Sequence, residues 1–239
     1  MFDRFFQKKP CRPYTAAVIP SAGSASRMGG VNKLLLEIDG IPVLARTLLA
    51  FEQSPFIDEI IVVCREQDIM DYGRLAQAYD CAKVRDVIRG GSSRTESVLA
   101  GVQACSETAH LVAIHDGARP LVSQTVIAEA VEAAARLGAA APVVPVKDSI
   151  KRVEGGRIIA DVPRDKIAAV QTPQVFQRAE ILDALTRALA DGASLTDDCA
   201  AAERIGVTVQ ATRGSYCNIK ITTPEDIPAA EALLAQEDE

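Results

Sequence analysis

The chain has 239 residues, 48% of them hydrophobic, enough to bury a sizeable core as one large domain or two small ones. Its 26 Lys and Arg face 32 Asp and Glu, a formal net charge of -6, so there is no global basic footprint for nucleic acid or for an anionic membrane surface. Trp is absent and aromatics are only 4%, which argues against a sugar-stacking lectin or a single-strand stacking platform.

Residues 1–14 contain three Phe but no continuous apolar core and no small-residue cleavage site; they read as an N-terminal extension, with a single domain over 15–239. Residues 16–19 are a short apolar run that predicts a buried strand. After Pro20 come Ser21, Ala22, Gly23, Ser24, Ala25 and Ser26, then Arg27, Gly29, Gly30 and Lys33. A strand, a turn of small residues and then cations suits a polyphosphate, because backbone N–H groups can approach the anion while Arg and Lys offset its charge. The spacing is neither a Walker A loop nor G-x-G-x-x-G, since Ala25 stands where a second Gly would be. On these residues alone, an exposed Gly/Ser-rich connection remains the plainer alternative.

A second apolar run, 34–38, closes at Asp39-Gly40, and Pro42 opens a helical pattern through Val43, Leu44, Thr47, Leu48 and Phe51. Strands are predicted over 57–64 and 82–88, with a helix over 67–79 between them. The loop 89–92 precedes a capping box, Ser93 with Glu96. A buried strand over 111–114 ends at His115-Asp116-Gly117; Ser123 caps a helix ending near Gly138; 139–146 is again a strand. This alternation predicts a mostly parallel sheet with helices on both faces, and ligands in such sheets bind outside the carboxyl ends of the strands. The polar segments 21–27, 89–92 and 115–119 all fall there.

The pattern breaks at Lys147. Residues 150–153 and 157–162 flank Gly155-Gly156 as a hairpin. A lone hairpin needs something to pack on, and a second subunit is the favoured support. A strand over 168–172, a helix over 178–190, a short helix to 204 capped by Thr196, and a strand over 207–211 follow. A last helix has Thr223 as N-cap, Pro224 at N1 and Asp226 at N3. The six cysteines form no C-x-x-C and no apolar run approaches a membrane span, so free thiols in a reducing, cytoplasmic compartment are expected.

Seven segments then carry a resemblance: P-S-A-G-S-A-S-R-M-G with N-K, G-G-S-S-R-T-E-S-V, H-D-G-A-R-P, P-V-K-D-S-I-K, Q-T-P-Q-V-F, T-D-D and N-I-K-I-T-T-P-E-D. In this order and at about these spacings, the chain from Thr15 onward resembles the 2-C-methyl-D-erythritol 4-phosphate cytidylyltransferases, CTP-using enzymes of the non-mevalonate isoprenoid pathway. The resemblance implies an α/β fold: the three-layer nucleotide-diphosphosugar-transferase (Rossmann-like) architecture, a mostly parallel sheet with a projecting β-hairpin arm at about 148–170 that builds a homodimer. It implies transfer of CMP from CTP to the polyol phosphate, whose own phosphate attacks the α-phosphorus. The protein then has to align two anions and neutralise charge, without a covalent nucleophile.

The resemblance also implies roles. Arg27 and Lys33 neutralise charge at the α-phosphate and the leaving pyrophosphate. Ala22, Gly23, Gly91, Ser92 and Ser97 meet the nucleotide, the last three at the cytosine. Asp116 touches the nucleotide and holds Mg²⁺, which uses few protein carboxylates. Ser149, Arg164, Thr172, Thr196 and Lys220 surround the acceptor, with Arg164 and Lys220 also catalytic; Asp148 is a second candidate there, a carboxylate able to bond sugar hydroxyls. Four positions depart from the pattern: Ala25 for Gly, Ser92 for a common acidic residue, Ser149 for Thr and Cys217 for Asp. A ribitol-5-phosphate cytidylyltransferase shares fold and chemistry, and a CTP-binding regulator without turnover is the alternative of another class. Retention of Arg27, Lys33, Asp116 and Lys220 speaks against the regulator.

Overall fold

The computed structural model describes residues 12–22 and 32–237. The Gly23, Ala25 and Arg27 expectations lie outside the described residues.

In chain order the elements are β1 (Thr15–Pro20), β2 (Glu37–Ile38), β3 (Ile41–Pro42), α1 (Val43–Glu52), β4 (Glu59–Cys64), α2 (Ile69–Ala78), β5 (Val84–Arg89), α3 (Arg94–Ala104), β6 (Leu111–Ile114) and α4 (Gln124–Leu137). Then come β7 (Ala139–Pro145), β8 (Ile150–Glu154), β9 (Arg157–Val162), β10 (Ala168–Val170), β11 (Gln174–Gln177), α5 (Arg178–Ala190), α6 (Asp198–Arg204), β12 (Gln210–Arg213) and α7 (Asp226–Glu237). The main sheet runs β10-β7-β11-β6-β1-β4-β5, with β12 also paired to β7. β6, β1, β4 and β5 are mutually parallel, and β10 and β11 run antiparallel to β7.

Strand periodicity sorts the core into two layers. In β1, Ala17 and Ile19 face one side and Ala16 and Val18 the other. The first side packs Leu44 and Leu48 of α1, Tyr72 of α2, Ile127 of α4 and Ala230 of α7. The second packs Val98 and Val102 of α3, Ile181 of α5 and Ala201 of α6. The result is the three-layer arrangement expected for this α/β chain. Helix α3 lies especially close to the sheet, because a Cβ on Gly101 would stand 2.4 Å from Val18 Cγ1 and 2.8 Å from Val63 Cγ2.

The hairpin is present as β8 and β9, with Gly155 and Gly156 both at positive φ as its turn requires. Several expectations are corrected. The strand expected over 168–172 stops at Val170, and β11 follows as an unforeseen strand between β6 and β7. Thr196 does not cap α6; the Asp197 carboxylate does, accepting the Ala200 N–H at 2.9 Å. The expected strand over 207–211 pairs only from Gln210. At α7 the capping runs the other way, with Asp226 Oδ2 accepting the Thr222 and Thr223 amides at 2.7 and 2.9 Å.

Candidate active site

A cleft of about 420 Å³ opens at the carboxyl ends of β1, β5 and β6. Ser21 and Ala22 line it after β1, Asn32 and Lys33 follow, and Gly91 to Arg94 come from the loop after β5. Ser97, Asp116, Gly117 and Lys220 complete it. The described part of the first polar segment, Ser21 and Ala22, meets residues of the segments 89–92 and 115–119 at this rim.

The wall after β6 is set by a buried relay. His115 is fully buried. Its Nε2 stands 3.1 Å from Arg119 O, which can only accept, so Nε2 carries the proton. Nδ1 therefore accepts from the Thr172 hydroxyl at 2.9 Å, and that oxygen in turn accepts the Asp116 N–H at 3.2 Å. Burial pushes the imidazole down to about 4, so it is neutral at neutral pH. His115 and Thr172 thus hold the backbone of Asp116. The Thr172 hydroxyl, expected at the acceptor, is spent on this relay. A Cβ on Gly117 would come within 2.4 Å of Ser21 Oγ, so a side chain there would collide with the loop after β1.

Residues 218–221 lie across the rim. Asn218 is buried and donates from Nδ2 to Thr172 O at 2.9 Å, while its own carbonyl accepts from Arg119 Nη1 at 2.6 Å. The Ile221 amide donates to Ala118 O at 2.8 Å, and Lys33 Nζ donates to Ile221 O at 2.6 Å. Lys220 Nζ, between these anchors, reaches Asp116 Oδ2 at 2.9 Å. Arg119 Nε stands 3.4 Å from the same oxygen, and Arg94 Nη2 stands 3.8 Å from Oδ1. Burial alone would raise the Asp116 carboxyl, but Lys220, Arg94 and Arg119 outweigh it and bring it down to about 2.

Arg94 is a functional candidate that motif reading passed over. Its guanidinium forms a two-pronged pair with Asp198, Nη1 to Oδ1 at 2.9 Å and Nη2 to Oδ2 at 2.7 Å. Asp198 is 1% exposed and its backbone amide donates to Gln174 Oε1. Burial would lower the guanidinium's pKa, but the Asp198 charge more than offsets it and holds Arg94 cationic. The available signals were G-G-S-S-R and T-D-D, each read only for its neighbours.

The loop after β5 is braced by α3. Ser97 is 2% exposed; its hydroxyl donates to Ser93 O at 2.8 Å and accepts the Gly91 N–H at 3.1 Å. Ser93 caps α3 as expected, accepting the Glu96 N–H. The return half of the box is shifted by one residue, with Glu96 accepting from the Ser92 amide at 2.8 Å.

Other expected acceptor residues lie outside this cleft. Asp148, Ser149 and Arg164 are exposed at the base of the hairpin, where Arg164 donates to Lys147 O at 2.5 Å. Lys147 rests 3.8 Å over the Tyr216 ring, whose hydroxyl donates to Pro145 O, tying the hairpin's base to the segment that carries Lys220. Thr196 borders a separate groove between β12 and α6. Five cysteines, Cys64, Cys81, Cys105, Cys199 and Cys217, are free thiols. No group of three or more His, Cys, Asp or Glu side chains able to hold a metal is found among the described residues. A lone, ionised carboxylate at a phosphate-sized cleft still fits Mg²⁺, which draws its remaining ligands from phosphate and water.

Known proteins match this geometry across the chain. The family model for 2-C-methyl-D-erythritol 4-phosphate cytidylyltransferase matches residues 15–236. A protein of that name from Halalkalibacterium halodurans is 45% identical over 224 residues, 93% of this chain and 98% of the relative. One from Syntrophus aciditrophicus is 39% identical over 230 residues, 95% and 98% of the two chains. The crystal structure of 4-diphosphocytidyl-2C-methyl-D-erythritol synthase from Anaerococcus prevotii superposes with a TM-score of 0.83 at 31% identity, covering 93% of this chain and 96% of that one. The Thermus thermophilus cytidylyltransferase gives 0.76 at 33% identity, covering 91% and 98%. With a cleft built from the ends of parallel strands and a match over nearly its whole length, the chain belongs to the 2-C-methyl-D-erythritol 4-phosphate cytidylyltransferase family.

Proposed function

We infer that the protein transfers CMP from CTP to 2-C-methyl-D-erythritol 4-phosphate, releasing pyrophosphate and 4-diphosphocytidyl-2-C-methyl-D-erythritol. The observation that carries this is the gathering of Arg94, Arg119 and Lys220 around Asp116, with Lys33 lining the same cleft, in an otherwise acidic protein. Two phosphate esters repel, and negative charge grows on the α-phosphate oxygens as the substrate's phosphate oxygen attacks and pyrophosphate departs. Fixed cations at that point stabilise the transition state more than the separated reactants.

In this reading Lys33, together with Arg27, faces the α-phosphate and the departing pyrophosphate, and Ala22 and Gly23 approach the nucleotide by their backbone. Gly91, Ser92 and Ser97 meet the base. Lys220 and Arg164 hold the acceptor phosphate, with Asp148, Ser149, Thr172 and Thr196 nearby in the closed assembly. Asp116 would hold Mg²⁺, which when bound screens the triphosphate charge. The exposed Val153, Ile158 and Ile159 on the hairpin support a homodimer in which the arm reaches the partner's cleft. No helix of the described residues is long and apolar enough to cross a membrane.

Pyrophosphate release with CTP and each of two acceptors, methylerythritol phosphate and ribitol 5-phosphate, tests the activity. Turnover with the first is expected; turnover with ribitol phosphate alone would overturn the acceptor assignment, and CTP binding without release would favour a regulator.

A further inference from the structure

In the loop after β5, the hydrogens of Gly91 and Ser92 are committed to partners within the protein. Glu96 Oε2 accepts the Ser92 amide at 2.8 Å, and both of its carboxylate oxygens stand 2.9 Å from Ser92 Oγ. An ionised carboxylate can only accept, so the Ser92 hydroxyl proton is committed to Glu96. Ser92 lines the cleft, and its Oγ then has only lone pairs to offer a ligand. Its neighbours repeat the polarity: the Gly91 N–H is taken by Ser97 Oγ, and the Ser97 hydroxyl proton by Ser93 O.

Resting on the reading that the base meets Gly91, Ser92 and Ser97, we propose that Glu96, acting through Ser92, makes the base pocket a hydrogen-bond acceptor and thereby selects cytosine over uracil. Cytosine presents an exocyclic amino donor at C4, where uracil presents a carbonyl oxygen. A hydroxyl whose proton is held by Glu96 can receive the amino group but meets the uracil carbonyl lone pair against lone pair. Glu96 is a positioning residue here, since it orients Ser92 and does not itself border the cleft.

The test compares kcat/KM for CTP and UTP, with methylerythritol phosphate as acceptor, in the full-length wild type, Glu96→Ala and Ser92→Ala. Freeing or deleting the hydroxyl removes the imposed polarity, so both variants are expected to lose about tenfold in the CTP-to-UTP ratio. In Glu96→Ala part of that loss is a gain with UTP, because the released hydroxyl can turn and donate. A merely structural role would lower both nucleotides by one common factor; that result in Glu96→Ala, or an unchanged ratio in Ser92→Ala, overturns the proposal. A wild type that turns over neither nucleotide would overturn the activity along with it, whereas wild-type turnover with an unaltered ratio in the variants overturns the base-selection role alone.

Discussion

Lys220 Nζ lies 2.9 Å from Asp116 Oδ2, joining the last cation of the rim to the carboxylate at its centre. The backbone of Asp116 is held by the Thr172 hydroxyl, itself bonded to His115, and the segment that carries Lys220 is anchored through Asn218 and Ile221. Replacing Lys220 by Met removes a charge from the phosphate site while leaving those anchors in place. The expected result is a fall in kcat/KM of roughly 100- to 1000-fold, the usual effect of losing one such group. Lys220 is 41% exposed on its side chain, so thermal unfolding should shift little. A large drop in Tm would mean that the residue is structural.

Asp116 sets the acid limit. Its folded carboxyl sits at about 2 against an ordinary 3.8, so the folded state favours the ionised form. The resulting stabilisation is present above the higher value and lost as pH falls through the lower one. It amounts to about 2 kcal/mol. In Asp116→Asn, unfolding free energies measured by urea titration, without nucleotide or metal, should lose pH dependence of that size across this window.

His115 acts in a different window. Burial drops its imidazole from 6.5 to about 4, so the unfolded chain binds a proton that the folded chain refuses. Stability is therefore full above 6.5 and declines as pH falls toward 4, by on the order of 3 kcal/mol. Thr172→Val should perturb the same relay at neutral pH, stranding His115 Nδ1 and the Asp116 amide at a cost of about 1–3 kcal/mol. Urea titrations of wild type and Thr172→Val at pH 7 and pH 5 measure both effects; a wild type equally stable at the two values would contradict the buried neutral ring.

Arg94 and Asp198 should behave as one unit. Asp198→Ala leaves a partly buried guanidinium without its partner, and Arg94→Ala leaves a buried carboxylate; each is expected to cost about 2–3 kcal/mol. The double variant should cost clearly less than the sum, which a double-mutant cycle by chemical denaturation reads directly. Strict additivity would show that the pair contributes no coupling.

Gly101→Ala tests the packing of α3. The new methyl would have to enter space held by Val18 and Val63, and the expected destabilisation is about 1–3 kcal/mol. An unchanged Tm would mean that α3 can back away from the sheet without cost.

Much of this was legible beforehand because its causes are local. The 3.6-residue periodicity of α1, the Ser123 cap of α4 and the paired glycines of the hairpin announce themselves within a few positions. β11 does not: Gln174–Gln177 is short and half polar, and it is a strand because β6 and β7 flank it. Thr196 and Asp197 compete for one cap, and the carboxylate wins by one residue. Arg94 reads as an ordinary first residue of a helix until α5 and α6 bring Asp198 beside it. At the site, the residue types were visible in the motifs, whereas the spending of the Thr172 hydroxyl on a neighbouring backbone is a purely three-dimensional fact.

The hairpin turn at Gly155-Gly156 divides the chain where both halves remain interleaved: β7 from the first half pairs with β10, β11 and β12 from the second. Lys33, Arg94 and Asp116 fall on one side of that point, Asp198 and Lys220 on the other. Severing the chain there would yield two fragments, each carrying an incomplete ring of charge, and only their reunion through the shared sheet would restore cytidylyl transfer. The fold thus contains a natural split point at which catalysis itself would report whether two pieces have found each other.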